Sequence, residues 1–107
     1  MMKVEVLFFE GCPNHQPAVQ RVRNVLADEG VCAEVVQIEV PDQATAESLS
    51  FLGSPSVRIN GIDVEGTIAP KAVGFSCRVY MQGSVREGVP PVEVIRCAVR
   101  KAKESSR

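Results

Sequence analysis

The stretch "GSPSVRINGIDVEG", Gly53 to Gly66, decides how the chain is read. Within it Val57 and Ile59 alternate with polar neighbours, Asn60-Gly61 follows, and Ile62 and Val64 alternate again. Side chains on a strand point to opposite faces in turn, and Asn-Gly accepts the positive φ that a two-residue turn demands. The segment is therefore a β-hairpin with one apolar face.

Working towards the N-terminus, "KVEVLFF" is apolar on both alternate faces from Val6 onward, which marks a strand covered on both sides. It breaks at Gly11 and leads into Cys12-Pro13-Asn14-His15. From Pro17 to Glu29 the period becomes helical, with Ala18, Val19, Val22, Val25 and Leu26 on one face and Gly30 placed to end the helix. "CAEVVQIEV" reads as a second strand with Val36, Ile38 and Val40 on one face, and Cys32 at its start as a core residue. Pro41 stops it. Asp42 then caps a short helix that runs to about Leu52 and ends at Gly53.

After the hairpin comes a long connection, about residues 66–90, in which "CRVYM" and "SVRE" suggest a small extra hairpin around Gln82-Gly83. Connections of this length are uncommon and often functional. The last helix is expected over Pro91 to Lys103, with Val92, Ile95, Ala98, Val99 and Ala102 as its buried stripe and Cys97 opposite, at the surface.

The 107 residues suit a single domain, 1–107, able to bury one core. Apolar residues make up 45%, charged residues 23%, and the net charge is −1 with both signs interspersed. The one basic cluster, Arg96, Arg100, Lys101 and Lys103, reads as the wet face of the last helix, so no nucleic-acid partner is expected. No apolar run reaches the length of a membrane span or a signal peptide, so neither membrane association nor export is expected. The expected location is cytoplasmic, where thiols are kept reduced. Cys12, Cys32, Cys77 and Cys97 form no C-x-x-C pair and no zinc-finger spacing, and read as free thiols, with no metal site and no cofactor. The oligomeric state is not legible in this pattern.

The order strand, helix, strand, helix, hairpin, helix, with "FFEGCPN" at the first strand-to-helix corner and "GSPSVRINGIDVEG" before the hairpin, resembles the thioredoxin-like superfamily, especially its small glutaredoxin-like members. The whole chain, "GFSCRVY" included, also looks like a group of small bacterial thioredoxin-like proteins, some of them associated with mercury resistance. The resemblance implies an α/β fold, a four-stranded mixed sheet flanked by helices in the order β-α-β-α-β-β-α, and a loop insertion at about 66–90. It also implies that Pro55 is cis and faces Cys12. The chain departs from the dithiol members in having His15 where a resolving cysteine would stand, a monothiol C-P-N-H variant.

On that resemblance the implied function is thiol–disulfide exchange. Cys12 is the nucleophile, Cys77 or an external thiol resolves the mixed disulfide, and Pro13, His15, Ser54 and Pro55 bound the substrate side. The implied partner is a thiol or disulfide, either protein or low-molecular-weight. The chemistry requires a thiolate, and a free cysteine of pKa ~8.5 is only about 3% ionised at pH 7, so placement at the positive end of a helix would help. His15 is either a solvated first-turn residue or a hydrogen-bond partner of the sulfur. The backbone beside a cis Pro55 would be free to pair with an extended ligand. Cys77 either folds back over the corner or fills the core as a small hydrophobe. Two alternatives stay open: a soft-metal (mercury or copper) thiolate site using Cys12 and Cys77 with His15 as a possible third ligand, and a non-catalytic module that binds a protein partner.

Overall fold

The computed structural model describes residues 2–66, 73–82 and 84–105. The elements follow in the order β1 (Met2–Phe8), α1 (His15–Asp28), β2 (Ala33–Glu39), α2 (Gln43–Ser48), β3 (Ser56–Ile59), β4 (Ile62–Asp63), β5 (Tyr80–Gln82), β6 (Val85–Glu87) and α3 (Val92–Ser105). A four-stranded mixed sheet has the order β2-β1-β3-β4. β1 runs parallel to β2 and antiparallel to β3, and β3 runs antiparallel to β4 across the Asn60-Gly61 turn. Both turn residues have positive φ, 52° and 84°, as the sequence predicts.

β1 is an inner strand, which is why its apolar residues serve both faces. Val4 and Val6 join Val57 and Ile59 in a core closed by Val19, Val22 and Val25 of α1 and by Ile95 and Val99 of α3. Leu7 points the other way, into a smaller cluster with Val40, Ala46 of α2 and Phe51. Helices therefore cover both faces of the sheet. β2 is an edge strand, and its apolar residues are only partly buried.

The helix ends show how local chemistry set the bounds. α1 starts two residues before the expected Pro17, which fits because a first-turn proline gives up an amide that has no helical partner anyway. At its C-terminus Gly30 has φ 63°, with Val31 N–H donating to Leu26 O and Gly30 N–H to Ala27 O, the paired closure of a Schellman end. α2 is shorter than expected. Asp42 does cap it, its carboxylate accepting from Thr45 N–H at 2.8 Å. It closes at Leu49, however, with Ser50 in the left-handed position (φ 54°), Ser50 N–H on Glu47 O and Phe51 N–H on Ala46 O. Burying Phe51 against Ala46 explains the early stop, and Gly53 is left for another task.

In α3 the stripe is Ile95, Val99 and Ala102, with Ala98 half-buried and Val92 exposed, contrary to expectation, because Val92 opens the helix. The basic residues of this helix grip the end of α1: Arg100 lies 3.0 Å from the Glu29 carboxylate, and Arg96 reaches Glu29 and Asp28 at 3.5 Å. The expected extra hairpin is present as β5 and β6, a separate two-stranded sheet. Part of the long connection, residues 67–72 and Gly83 of the anticipated Gln82-Gly83 turn, lies outside the described residues.

Phe51 sets the second core cluster. Phe51→Ala is expected to lower unfolding stability by about 3–5 kcal/mol, read as an earlier urea midpoint at unchanged slope.

Candidate functional site

Two consecutive turns carry the chain from β1 into α1. Cys12 N–H donates to Phe9 O at 3.2 Å across a turn whose third residue, Gly11, has φ 84°. A side chain there would be strained, which is the reason for glycine. His15 N–H then donates to Cys12 O at 3.4 Å, with Pro13 in the position that suits its fixed φ. Cys12 thus sits two residues ahead of the helix N-cap, Asn14, and is partly exposed. Asn14 makes no side-chain cap bond, and its amide instead packs so closely on Gly88 that a Cβ at Gly88 would collide with it. The first turn of α1 contains no acidic residue.

His15 turns away from a role at the sulfur. Its ring stacks on Phe8 with centroids 3.5 Å apart and planes 7° from parallel. Its Nε2 pairs with Gln37 Oε1 at 2.7 Å, fastening α1 to β2.

The Ser54-Pro55 bond is cis, as the sequence reading expects, and both residues are buried just before β3. Ser54 Oγ accepts from Phe9 N–H at 3.3 Å, so the Ser54 segment and the Cys12 turn share Phe9 as their anchor. The backbone of Ser54 is not free, which corrects the expectation above. Its N–H donates to Ser76 O at 2.8 Å and its C=O accepts from Arg78 N–H at 2.9 Å, a parallel bridge centred on Cys77. Gly74 N–H donates to Phe51 O, and Phe75 meets Phe9 edge-on at 5.5 Å. Residues 74–78 therefore form a strap laid across Phe51 to Ser54. Gly53 permits the close approach: a Cβ there would lie 2.9 Å from the Cβ of Arg78, and φ is 115°.

The strap is locked by Arg78, whose side chain is 1% exposed. Nη1 and Nη2 donate to the two Asp63 oxygens at 2.7 and 2.8 Å, Nη2 also to Glu65 at 2.7 Å, and Nη1 also to Ser56 Oγ at 3.1 Å. Only Nε lacks an acceptor among the described residues. The guanidinium lies over the Tyr80 ring, 4.5 Å from its centroid, and Tyr80 Oη donates to Pro55 O at 2.6 Å. Burial works against the Arg78 charge, but the hydrogen bonds it donates to Asp63 and Glu65 outweigh it and hold its pKa above the ordinary value. Burial also pushes the Tyr80 phenol well above its usual range, opposed by Arg78 and reinforced by Asp63 and Glu65.

The four cysteines are all free. Cys12 and Cys77 are both fastened to the Phe9–Ser54 junction, one through each residue. Cys77 is exposed beside a cavity of about 440 Å³, and Cys12 lies outside that cavity's lining. Cys97 is exposed as expected. Cys32 is exposed as well, not in the core, because it precedes an edge strand. Among the described residues no group of three or more His, Cys, Asp and Glu is arranged to hold a metal ion, so the three-ligand set of Cys12, Cys77 and His15 does not assemble. No helix of the described residues is long and apolar enough to cross a membrane. The Arg78 network was not anticipated. Its signal was the two-residue spacing of Asp63 and Glu65 and of Arg78 and Tyr80, which places each pair on one side of extended chain.

Compared with known proteins, the chain matches no family model, no curated protein and no solved structure.

Tyr80 is the single tyrosine and there is no tryptophan, so tyrosinate absorbance reports one site. A phenol pKa raised by folding contributes stability that is full below the unfolded value of ~10 and is lost as pH rises beyond it. The folded chain is expected to show no tyrosinate at about one pH unit above ~10, whereas the chain in denaturant titrates near ~10. Coincident curves would show the phenol open to water.

Proposed function

We propose that the chain is a thioredoxin-like domain that carries out thiol–disulfide exchange through Cys12, with Cys77 as the second thiol. The observation that carries the reading is the junction at Phe9. Cys12 and the cis Ser54-Pro55 segment are tied to this one residue, and the strap delivers Cys77 onto Ser54. The sheet order β2-β1-β3-β4, with helices on both faces, supports the fold assignment.

In this reading the Cys12 thiolate attacks one sulfur of a substrate disulfide, forming a mixed disulfide and releasing the other sulfur as a thiolate that takes a proton from water. Cys77, or an external thiol, then attacks the Cys12 sulfur. The second half of the substrate leaves as a thiol and the protein retains the disulfide. Pro13 fixes the turn that presents Cys12. Ser54 and Pro55 bound the same corner. His15 acts on the scaffold, through Phe8 and Gln37. Because Ser54 is already paired, the substrate reaches the thiols without adding a strand at that point.

The test follows mixed-disulfide formation with 2-hydroxyethyl disulfide by acid quench and mass spectrometry. Cys12→Ser is expected to reduce exchange to the rate of an incidental exposed thiol such as Cys32. Cys77→Ser is expected to leave the first step intact while the Cys12 mixed disulfide accumulates. Undiminished exchange in Cys12→Ser would overturn the assignment.

A further inference from the structure

The cavity beside Cys77 has a chemical character of its own. Phe9, Val40, Pro41 and Phe75 give it an apolar lining that includes two aromatic rings. Two carboxylates, Glu10 and Glu39, line it as well, and among the described residues no lysine, arginine or histidine does. Both glutamates belong to exposed residues, and neither has an ion-pair partner among the described residues. Aromatic rings and unpaired carboxylates together favour a cation: the ring face attracts positive charge and the carboxylates add Coulomb attraction. The same carboxylates repel an anionic thiol compound such as glutathione.

The size and the backbone narrow the occupant further. About 440 Å³ lies within the range of small-molecule sites. A peptide laid out as a strand would need free main-chain groups, and those of Ser54, beside Cys77, are taken by Ser76 and Arg78.

We propose that this cavity is the site at which Cys77 exchanges with a low-molecular-weight cationic aminothiol and its disulfide. The proposal rests on the thiol-exchange reading above and names the small-molecule partner of its second thiol. The Cys77 thiolate attacks one sulfur of the aminothiol disulfide, forming a Cys77–aminothiol mixed disulfide. The other aminothiol leaves as a thiolate and is protonated by water. Run in reverse, the same step returns Cys77 to the thiol as the aminothiol disulfide is released.

The test uses the full chain carrying Cys12→Ser, so that the adduct at Cys77 cannot pass onward. Three symmetrical disulfides are compared at low salt: cystamine, with two ammonium groups; 2-hydroxyethyl disulfide, uncharged; and 3,3′-dithiodipropionate, with two carboxylates. Peptide mapping gives the rate at Cys77 relative to Cys32 in the same sample, which cancels the intrinsic reactivity of each probe. That ratio is expected to fall in the order cystamine, 2-hydroxyethyl disulfide, dithiodipropionate, by on the order of three-fold per step, and to converge at high salt. The order is also expected to collapse in the Glu10→Gln/Glu39→Gln variant, whose exposed sites leave the fold intact. A ratio indifferent to probe charge, or an order that survives in the double variant, would overturn the proposal. So would a lysine-flanked disulfide peptide that outpaces cystamine, because it would point to a protein partner. The readout needs neither Cys12 nor turnover, so its failure is separable from a failure of the Cys12 assignment.

Discussion

A buried guanidinium dictates the path of the middle of the chain. Arg78 is enclosed between Asp63, Glu65 and Ser56 on one side and the Tyr80 ring on the other. A charge taken out of water is tolerated only with partners, and removing one partner from such a pair typically costs about 3–5 kcal/mol. Those partners sit on β3, on β4 and just after it, so residue 78 has one acceptable berth. A hydrophobic replacement set could match the stability of such a cluster. What the ions add is geometry, since a planar fork held by two carboxylates fixes orientation as well as place.

The strap at the Ser54 segment inherits that geometry. With Arg78 seated, the backbone of Ser76 to Arg78 falls alongside Ser54 and takes both of its main-chain groups. Tyr80, two residues on, reaches the Pro55 carbonyl and ties the strap to the other flank of the same segment. Gly53 has no Cβ because the strap occupies that space. A thiol that stands far from Cys12 in the sequence is thereby carried to Ser54, whose hydroxyl accepts from Phe9 N–H. The strap also takes the main-chain groups of Ser54 that an extended polypeptide would use.

Much of this fold was legible because it rests on short-range signals. Alternation in "SVRINGIDV", the helical stripe from Ala18 to Leu26 and Gly30 at its end each reflect a local rule, and each element formed where the rule put it. The misses share a different origin. Gly53 invited a helix end, yet its conformation answers to a strap more than 20 residues later. Cys32 looked like core because its neighbours are apolar, but burial depends on which strand lies at the edge, and strand order is a tertiary property. His15 was read against Cys12, its neighbour in sequence, whereas its partners Phe8 and Gln37 come from the two strands it joins. The strap's pairing with Ser54 is between distant main-chain groups, and of the side chains that hold it only the two-residue spacings of Asp63 and Glu65 and of Arg78 and Tyr80 leave a mark in the sequence.

The two thiols differ in what holds them, and the difference bears on how a site without C-x-x-C can work. Cys12 is held by local turns. Ahead of it, Asn14 is drawn to Gly88 and leaves the start of α1 without a side-chain cap or an acidic first-turn residue. Cys77 is placed by tertiary contacts, through the pairing of the strap with Ser54. One thiol is thus positioned by the chain's own local stiffness and the other by the core. A dithiol motif obtains both sulfurs from one helix turn; the second thiol proposed here instead lies on a distant segment that the buried Arg78 holds in register.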